Sequence, residues 1–214
     1  MPKLPIVILI SGQGTNLQAI IDATKKGLPV EIRAVISNRA DAYGLIRAQQ
    51  ADIPTHVIAH QHYPTRKEFE YALQLQIDHY APKVIALAGF MRKLGCDFVR
   101  YYCGRIINIH PSLLPKYPGL QTHQRALKAG DKEHGVSIHF VTAQVDGGPI
   151  ICQARLRVTP DDTAESLSQR VHQLEHVIYP QVLHWLSQGT LALKGQDVYL
   201  NGRKLPKTGK PLCG

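Results

Sequence analysis

An amide, an imidazole and a carboxylate stand where they could converge on one reacting atom. Asn108 and His110 belong to the run Asn108-Ile109-His110-Pro111-Ser112-Leu113-Leu114-Pro115, and Asp146 opens Asp146-Gly147-Gly148-Pro149. An amide donates hydrogen bonds, an imidazole moves protons near neutral pH, and a carboxylate beside it orients or charges the ring. Pro111 turns His110 away from helix, and Pro115 and Pro118 stiffen the chain beyond it. Asp-Gly is also a strong turn dipeptide, so Asp146 reads equally as a turn former until its partner is known. For His110 the plain alternative is a hydrogen-bonded loop histidine.

A second candidate is Ser11-Gly12-Gln13-Gly14-Thr15-Asn16, which follows an apolar strand and opens a helix. Backbone N–H groups and the helix dipole there would face an anion. Gly12 and Gly14 match the start of a dinucleotide fingerprint, but Leu17 stands where its third glycine belongs. The next strand ends in Ser37-Asn38-Arg39 without an acid for a ribose diol, and Glu31 lies at that strand's wrong end. A single phosphate fits better than NAD, Arg39 leaves an NADP reading open, and a tight turn that binds nothing is the alternative. His60-Gln61-His62, His123, His134 and His139 lack metal-motif spacing and read as solvated or core residues. His172 and His176 flank Glu175 at helical spacing, as on an exposed helix face. GxSxG is absent, which argues against a serine nucleophile.

The elements that must position these groups alternate between β-branched runs and helical patterns, the signature of βαβ units. Strands are expected over 6–11, 31–37, 55–58, 84–88, 106–109, 136–141 and 150–158. A helix over 16–26 should stop at Gly27, and one from Thr65 to about His79 begins with Thr65 and Glu68 in capping-box spacing. Asp162 and Glu165 repeat that spacing before the stripe Leu167, Val171, Leu174 and Ile178, which Pro180 should disturb. Continuous apolar strands such as 84–88 imply burial on both faces. The fold expected is therefore α/β: a single domain with a doubly wound, mostly parallel sheet over 1–190, followed over 191–214 by a small hairpin, an Asn201-Gly202 turn and a basic tail without fixed structure.

At 214 residues the chain can bury an ample core without staples. Its four cysteines, Cys96, Cys103, Cys152 and Cys213, form no CxxC pair, and Cys96 and Cys152 are expected to be buried or half-buried thiols. Of the net charge of +9, the last 24 residues supply +4 through Lys194, Arg203, Lys204, Lys207 and Lys210 against Asp197 alone. The remaining +5 suits small anionic ligands better than nucleic acid. No apolar run has the length of a signal peptide core or a membrane span, so a soluble, cytoplasmic protein is expected.

Three stretches together resemble the phosphoribosylglycinamide formyltransferases, folate-dependent enzymes of purine synthesis. They are Ile8-Leu9-Ile10-Ser11-Gly12-Gln13-Gly14-Thr15-Asn16-Leu17-Gln18; Ala88-Gly89-Phe90-Met91-Arg92 with residues 108–119; and Gly135-Val136-Ser137-Ile138-His139-Phe140 running to Ile150. The resemblance implies transfer of the formyl group of 10-formyltetrahydrofolate to the amine of glycinamide ribonucleotide, with no metal. It implies Asn108 as oxyanion donor and folate contact, His110 as general acid, and Asp146 raising the imidazole pKa or placing a water. Gly12, Gly14, Thr15 and Asn16 would hold the ribonucleotide phosphate, and Glu175 would approach the substrate amine. Met91, Arg92 and Leu94 would border the folate, with Arg66 at its carboxylate end. The expected partners are these small molecules, in a monomer or homodimer, with neither nucleic acid nor membrane. The sister activities, methionyl-tRNA formyltransferase and formyltetrahydrofolate deformylase, and a non-catalytic phosphate- or NADP-binding module, are the competing readings.

Overall fold

The computed structural model describes residues 2–213, which divide into two compact units, one through Ile107 and one from Asn108. In the first, β1 (Leu4–Ile10), α1 (Thr15–Lys25), β2 (Val30–Ser37), α2 (Tyr43–Gln49), β3 (Thr55–Val57), α3 (Arg66–His79), β4 (Val84–Leu87) and α4 (Cys96–Tyr101) follow one another. Strand β1 pairs in parallel with β2 and β4, and β2 with β3, giving the order β3-β2-β1-β4. Every residue of β1 and of β4 is buried, the two-faced burial expected of continuous apolar strands. Thr65 and Glu68 make the expected capping box, each side chain accepting from the other's backbone N–H at 3.2 and 3.1 Å.

β5 (Ile106–His110) begins in the first unit, where Arg105 just before it accepts from the Ile85 N–H of β4, and ends in the second. There α5 (Thr122–Lys128), β6 (Glu133–Phe140), β7 (Ile150–Arg157), α6 (Ala164–Ser187), β8 (Leu191–Lys194), β9 (Asp197–Leu200), β10 (Arg203–Lys204) and β11 (Lys210–Cys213) follow. The strand order is β5-β6-β7-β11, with β6 and β7 antiparallel and β7 and β11 parallel. The α/β class with a mostly parallel sheet and a small C-terminal antiparallel piece is as expected.

Four details differ from expectation. Helix α6 runs through Pro180, because its buried stripe of Leu167, Val171, Ile178 and Tyr179 continues beyond the proline as Val182 and Leu183. Packing on that face offsets the missing N–H bond, which costs about 3 kcal/mol. The α6 capping box is Thr163 with Ser166, one residue after the expected pair, since Asp162 is already engaged by the Thr159 N–H at 2.8 Å and Arg170 at 2.6 Å. Cys96 is exposed at the start of α4, whereas Cys152 is buried as expected and its thiol is pushed up to about 12 by burial. The tail is ordered: β8, β9 and β10 form an antiparallel sheet with Asn201-Gly202 as its second turn, and residues 210–213 add the parallel strand beside β7.

Candidate active site

Asn108 and His110 are alternate residues of β5, so their side chains share a face while Ile107 and Ile109 fill the other. Beyond them the chain runs through Pro111 into a loop with three left-handed residues, Tyr117 (φ 56°), Gly119 (φ 80°) and Gln121 (φ 58°). Across from it His139 is the penultimate residue of β6, just past a register shift against β7 between Ile138 and His139. Such a shift re-aims a side chain. Asp146 follows on the next loop with φ 50°, an angle that Asp tolerates better than most residues. The turn after it requires Gly148, where a Cβ would collide with the carbonyl oxygen of Phe140.

These side chains converge. Asp146 Oδ2 lies 3.4 Å from His110 Nδ1 and accepts from the Gly119 N–H at 2.8 Å. Its Oδ1 lies 3.5 Å from Asn108 Nδ2 and 3.6 Å from His139 Nε2. Asn108 Nδ2 is 3.2 Å from that same His139 nitrogen, and His139 Nδ1 is 2.9 Å from the Phe140 carbonyl. A carbonyl only accepts, so His139 Nδ1 carries the proton and its Nε2 receives the Asn108 amide. By the same reasoning His110 Nε2 donates to the Tyr117 carbonyl at 2.8 Å, which leaves Nδ1 facing Asp146. Asp146 is therefore a partnered carboxylate, beyond the needs of a turn.

The electrostatics refine one expectation. Burial lowers the His110 pKa below its ordinary value, and this outweighs the upward pull of the Tyr117 carbonyl and of Asp146. The resting imidazole is thus neutral near pH 7, although Asp146 does act on it in the expected direction. Burial works upward on Asp146 itself, but the close His139 ring, the Gly119 N–H and the charge of the neighbouring imidazoles bring its pKa below the ordinary carboxylate value.

In the first unit the glycine loop and the 91–94 segment are drawn together by Ser11. Its hydroxyl donates to Asn38 Oδ1 at 2.5 Å and accepts from the Met91 N–H at 2.7 Å. Gly14 caps α1 with φ 70°, and a Cβ on it would lie 2.6 Å from the Gly44 Cα, so this glycine serves close packing as well as the turn. Thr15 and buried Asn16 open α1, whose first turn carries no acidic residue. Gly12 has open space where a Cβ would be. Arg66 opens α3 and donates to Glu70 at 2.9 Å, and Glu70 also accepts from the Gly95 N–H at 2.6 Å, which ties Arg66 to the segment holding exposed Met91, half-buried Arg92 and buried Leu94. Arg39 forks onto Asp41 at 2.9 and 2.6 Å in an exposed ion pair. Glu175 differs from the exposed helix face expected around it: it lies on the buried face of α6, 4.0 Å from His172.

The sequence reading missed His139, Ser11 as a clamp, and the backbone groups of Tyr117 and Gly119. His139 lies within one of the resemblance stretches, but neither its spacing nor its apolar neighbours mark it as part of a site. His123 and His134 lie 3.1 Å apart with both pKa values pushed down to about 4, chiefly by burial, and among the described residues no group of three or more side chains could hold a metal.

A family model described as formyl transferase matches residues 4–183. The phosphoribosylglycinamide formyltransferase of Escherichia coli (strain K12) is 51% identical over 205 residues, covering 95% of this chain and 97% of that protein. The human trifunctional purine biosynthetic protein adenosine-3 is 43% identical over 192 residues, which are 89% of this chain and 19% of that protein. Among solved structures, the phosphoribosylglycinamide formyltransferase from Coxiella burnetii in complex with CHES superposes with a TM-score of 0.96 at 66% identity, covering 98% of this chain and 99% of that one.

Proposed function

This chain belongs to the formyl transferase family, and on that premise we propose that the cluster around Asp146 is its catalytic centre. The chain transfers the formyl group of 10-formyltetrahydrofolate to the amine of N1-(5-phosphoribosyl)glycinamide, a step of purine biosynthesis. The observation that carries this reading is the hydrogen-bonded set Asn108, His139, Asp146 and His110, which supplies an oxyanion donor and a proton carrier within a chain alike along 95% of its length to an enzyme of that name.

The amine nitrogen attacks the formyl carbon, and the carbonyl π electrons move to oxygen. Asn108 Nδ2 makes one shorter bond to His139 and one longer contact to Asp146, and the longer one yields so that an N–H can turn to the oxyanion. Neutral His110 takes the proton shed by the attacking amine on Nδ1, where Asp146 stabilises the imidazolium, and returns it to the folate nitrogen as the carbon–nitrogen bond breaks. His110 thus serves as general acid in the second half of the reaction. No covalent enzyme intermediate is needed. Gly12, Gly14, Thr15 and Asn16 hold the ribonucleotide phosphate, Glu175 approaches the amine, and Arg66, Met91, Arg92, Leu94 and Asn108 hold the folate. In this proposal residues 1–190 carry the reaction and 191–214 complete the structure. The protein works in the cytoplasm as a monomer or homodimer on small molecules alone; no described helix is long and apolar enough to cross a membrane.

Purified protein given 10-formyltetrahydrofolate and glycinamide ribonucleotide, without added metal, is expected to show the absorbance change of the folate product. Formate released without the amine would mark a deformylase instead, and formylation only of an aminoacyl-tRNA would mark the sister transferase.

A further inference from the structure

Tyr117 is held from two sides. On the inside a buried network fixes the chain leading up to it: the Ser137 hydroxyl donates to the Ser112 carbonyl and accepts from the Leu114 N–H, Gln153 donates to Ser137 and to the Leu114 carbonyl, and the Ser112 hydroxyl donates to the Lys116 carbonyl at 2.6 Å. The Ser112 hydroxyl also lies 3.5 Å from the Tyr117 carbonyl, a weaker hold than its bond to Lys116. On the outside Asp131 accepts from the Tyr117 hydroxyl at 2.9 Å and from Lys116 Nζ at 2.9 Å on each oxygen. Arg125 lies over the Tyr117 ring at 5.2 Å and donates to the Pro118 carbonyl at 2.6 Å. Asp131 is itself anchored just beyond α5, its N–H bonding to the Ala126 carbonyl.

A non-glycine residue keeps a left-handed backbone only where its surroundings over-determine it. Tyr117 has φ 56°, and in that conformation its carbonyl meets His110 Nε2 at 2.8 Å. Asp131 does not appear in the cluster around Asp146, yet it governs the residue that fixes which imidazole nitrogen carries the resting proton.

We propose that Asp131 is a positioning residue for proton transfer: by holding the Tyr117 ring and Lys116 it keeps the Tyr117 carbonyl on His110 Nε2, so that Nδ1 is the nitrogen left to exchange a proton. This rests on the reading that His110 moves that proton. The groups acting on His110 from its surroundings are Asp146, His139 and Arg125, with His123 and His134 also close enough to act on it electrostatically. The Tyr117 carbonyl works upward on the His110 pKa, so loosening it moves the titration down.

The test compares Tyr117→Phe, which removes the hydroxyl without changing charge, with Asp131→Ala and Asp131→Asn. Histidine-labelled protein is followed by NMR for the His110 midpoint, alongside kcat and KM for both substrates. In Tyr117→Phe and Asp131→Ala the midpoint is expected to fall and kcat to drop by about tenfold to a hundredfold, as displaced catalytic groups typically cause, with both KM values unchanged. Asp131→Asn, whose amide oxygen still accepts from Tyr117, is expected to recover most of the rate. Folded Tyr117→Phe protein with an unmoved His110 midpoint and full kcat overturns the proposal. Full activity in His110→Asn would instead remove His110 from the reaction, an outcome separate from the NMR result.

Discussion

Asp146 meets four partners from a left-handed backbone: His110, His139, Asn108 and the Gly119 N–H. Replacing it by Asn keeps the shape and removes the negative charge beside the His110 ring. Asp146→Asn is expected to lower kcat by about 10²–10⁴-fold, the range of a lost acid–base partner, while a phosphate ligand still binds by calorimetry. Asn108→Ala should cost about 10²–10³-fold in kcat, as loss of an oxyanion donor does; steady-state rates near the unmodified enzyme would remove either residue from the mechanism. Asn108, His110 and Asp146 were legible because proline and glycine mark the loops that present them. His139 was not, since an imidazole on an apolar strand looks like a core residue until the register shift at Ile138 is seen. Tyr117 and Gly119 meet His110 and Asp146 through backbone atoms, which every residue type shares, so residue type gave no sign of the role.

At the level of elements, burial decides what a sequence shows. Strands β1, β2 and β4 to β7 were readable to within a few residues because apolar runs with buried faces leave little choice of state, whereas β10 and β11 in the basic tail went unseen. Helices α2, α4 and α5, of seven, six and seven residues, are too short to display helical periodicity and went unseen. Pro180 misled for the opposite reason, since a local rule met a helix of 24 residues whose buried stripe extends past it. The close approach of Gly14 to Gly44 joins the start of α1 to that of α2, and no periodicity encodes it. Gly14→Ala must bear a left-handed torsion and a 2.6 Å approach to the Gly44 Cα together, and is expected to lose about 2 kcal/mol or more. Urea unfolding measures this, and an unchanged midpoint would show that the two helices can separate at no cost.

The molecule as a whole carries four histidines whose pKa values are lowered chiefly by burial: His56 and His110, and His123 and His134 at about 4. In the unfolded chain each titrates near its ordinary value of about 6.5. Between those limits the unfolded state binds more protons, so their contribution to stability is complete above pH of about 6.5 and is lost as pH falls toward about 4. For buried His134 the slope approaches about 1.4 kcal/mol per pH unit. Thermal melts should show Tm falling steadily on acidification across that window, and a flat Tm from pH 7 to 4.5 would contradict the assignment. The order of synthesis bears on β11 as well. Strand β7 leaves the ribosome long before residues 210–213, which pair with its outer edge. During that interval the nascent chain presents a row of unpaired backbone groups. A polypeptide cut short before residue 210 would keep the cluster around Asp146 but lack this edge strand, and such products should self-associate.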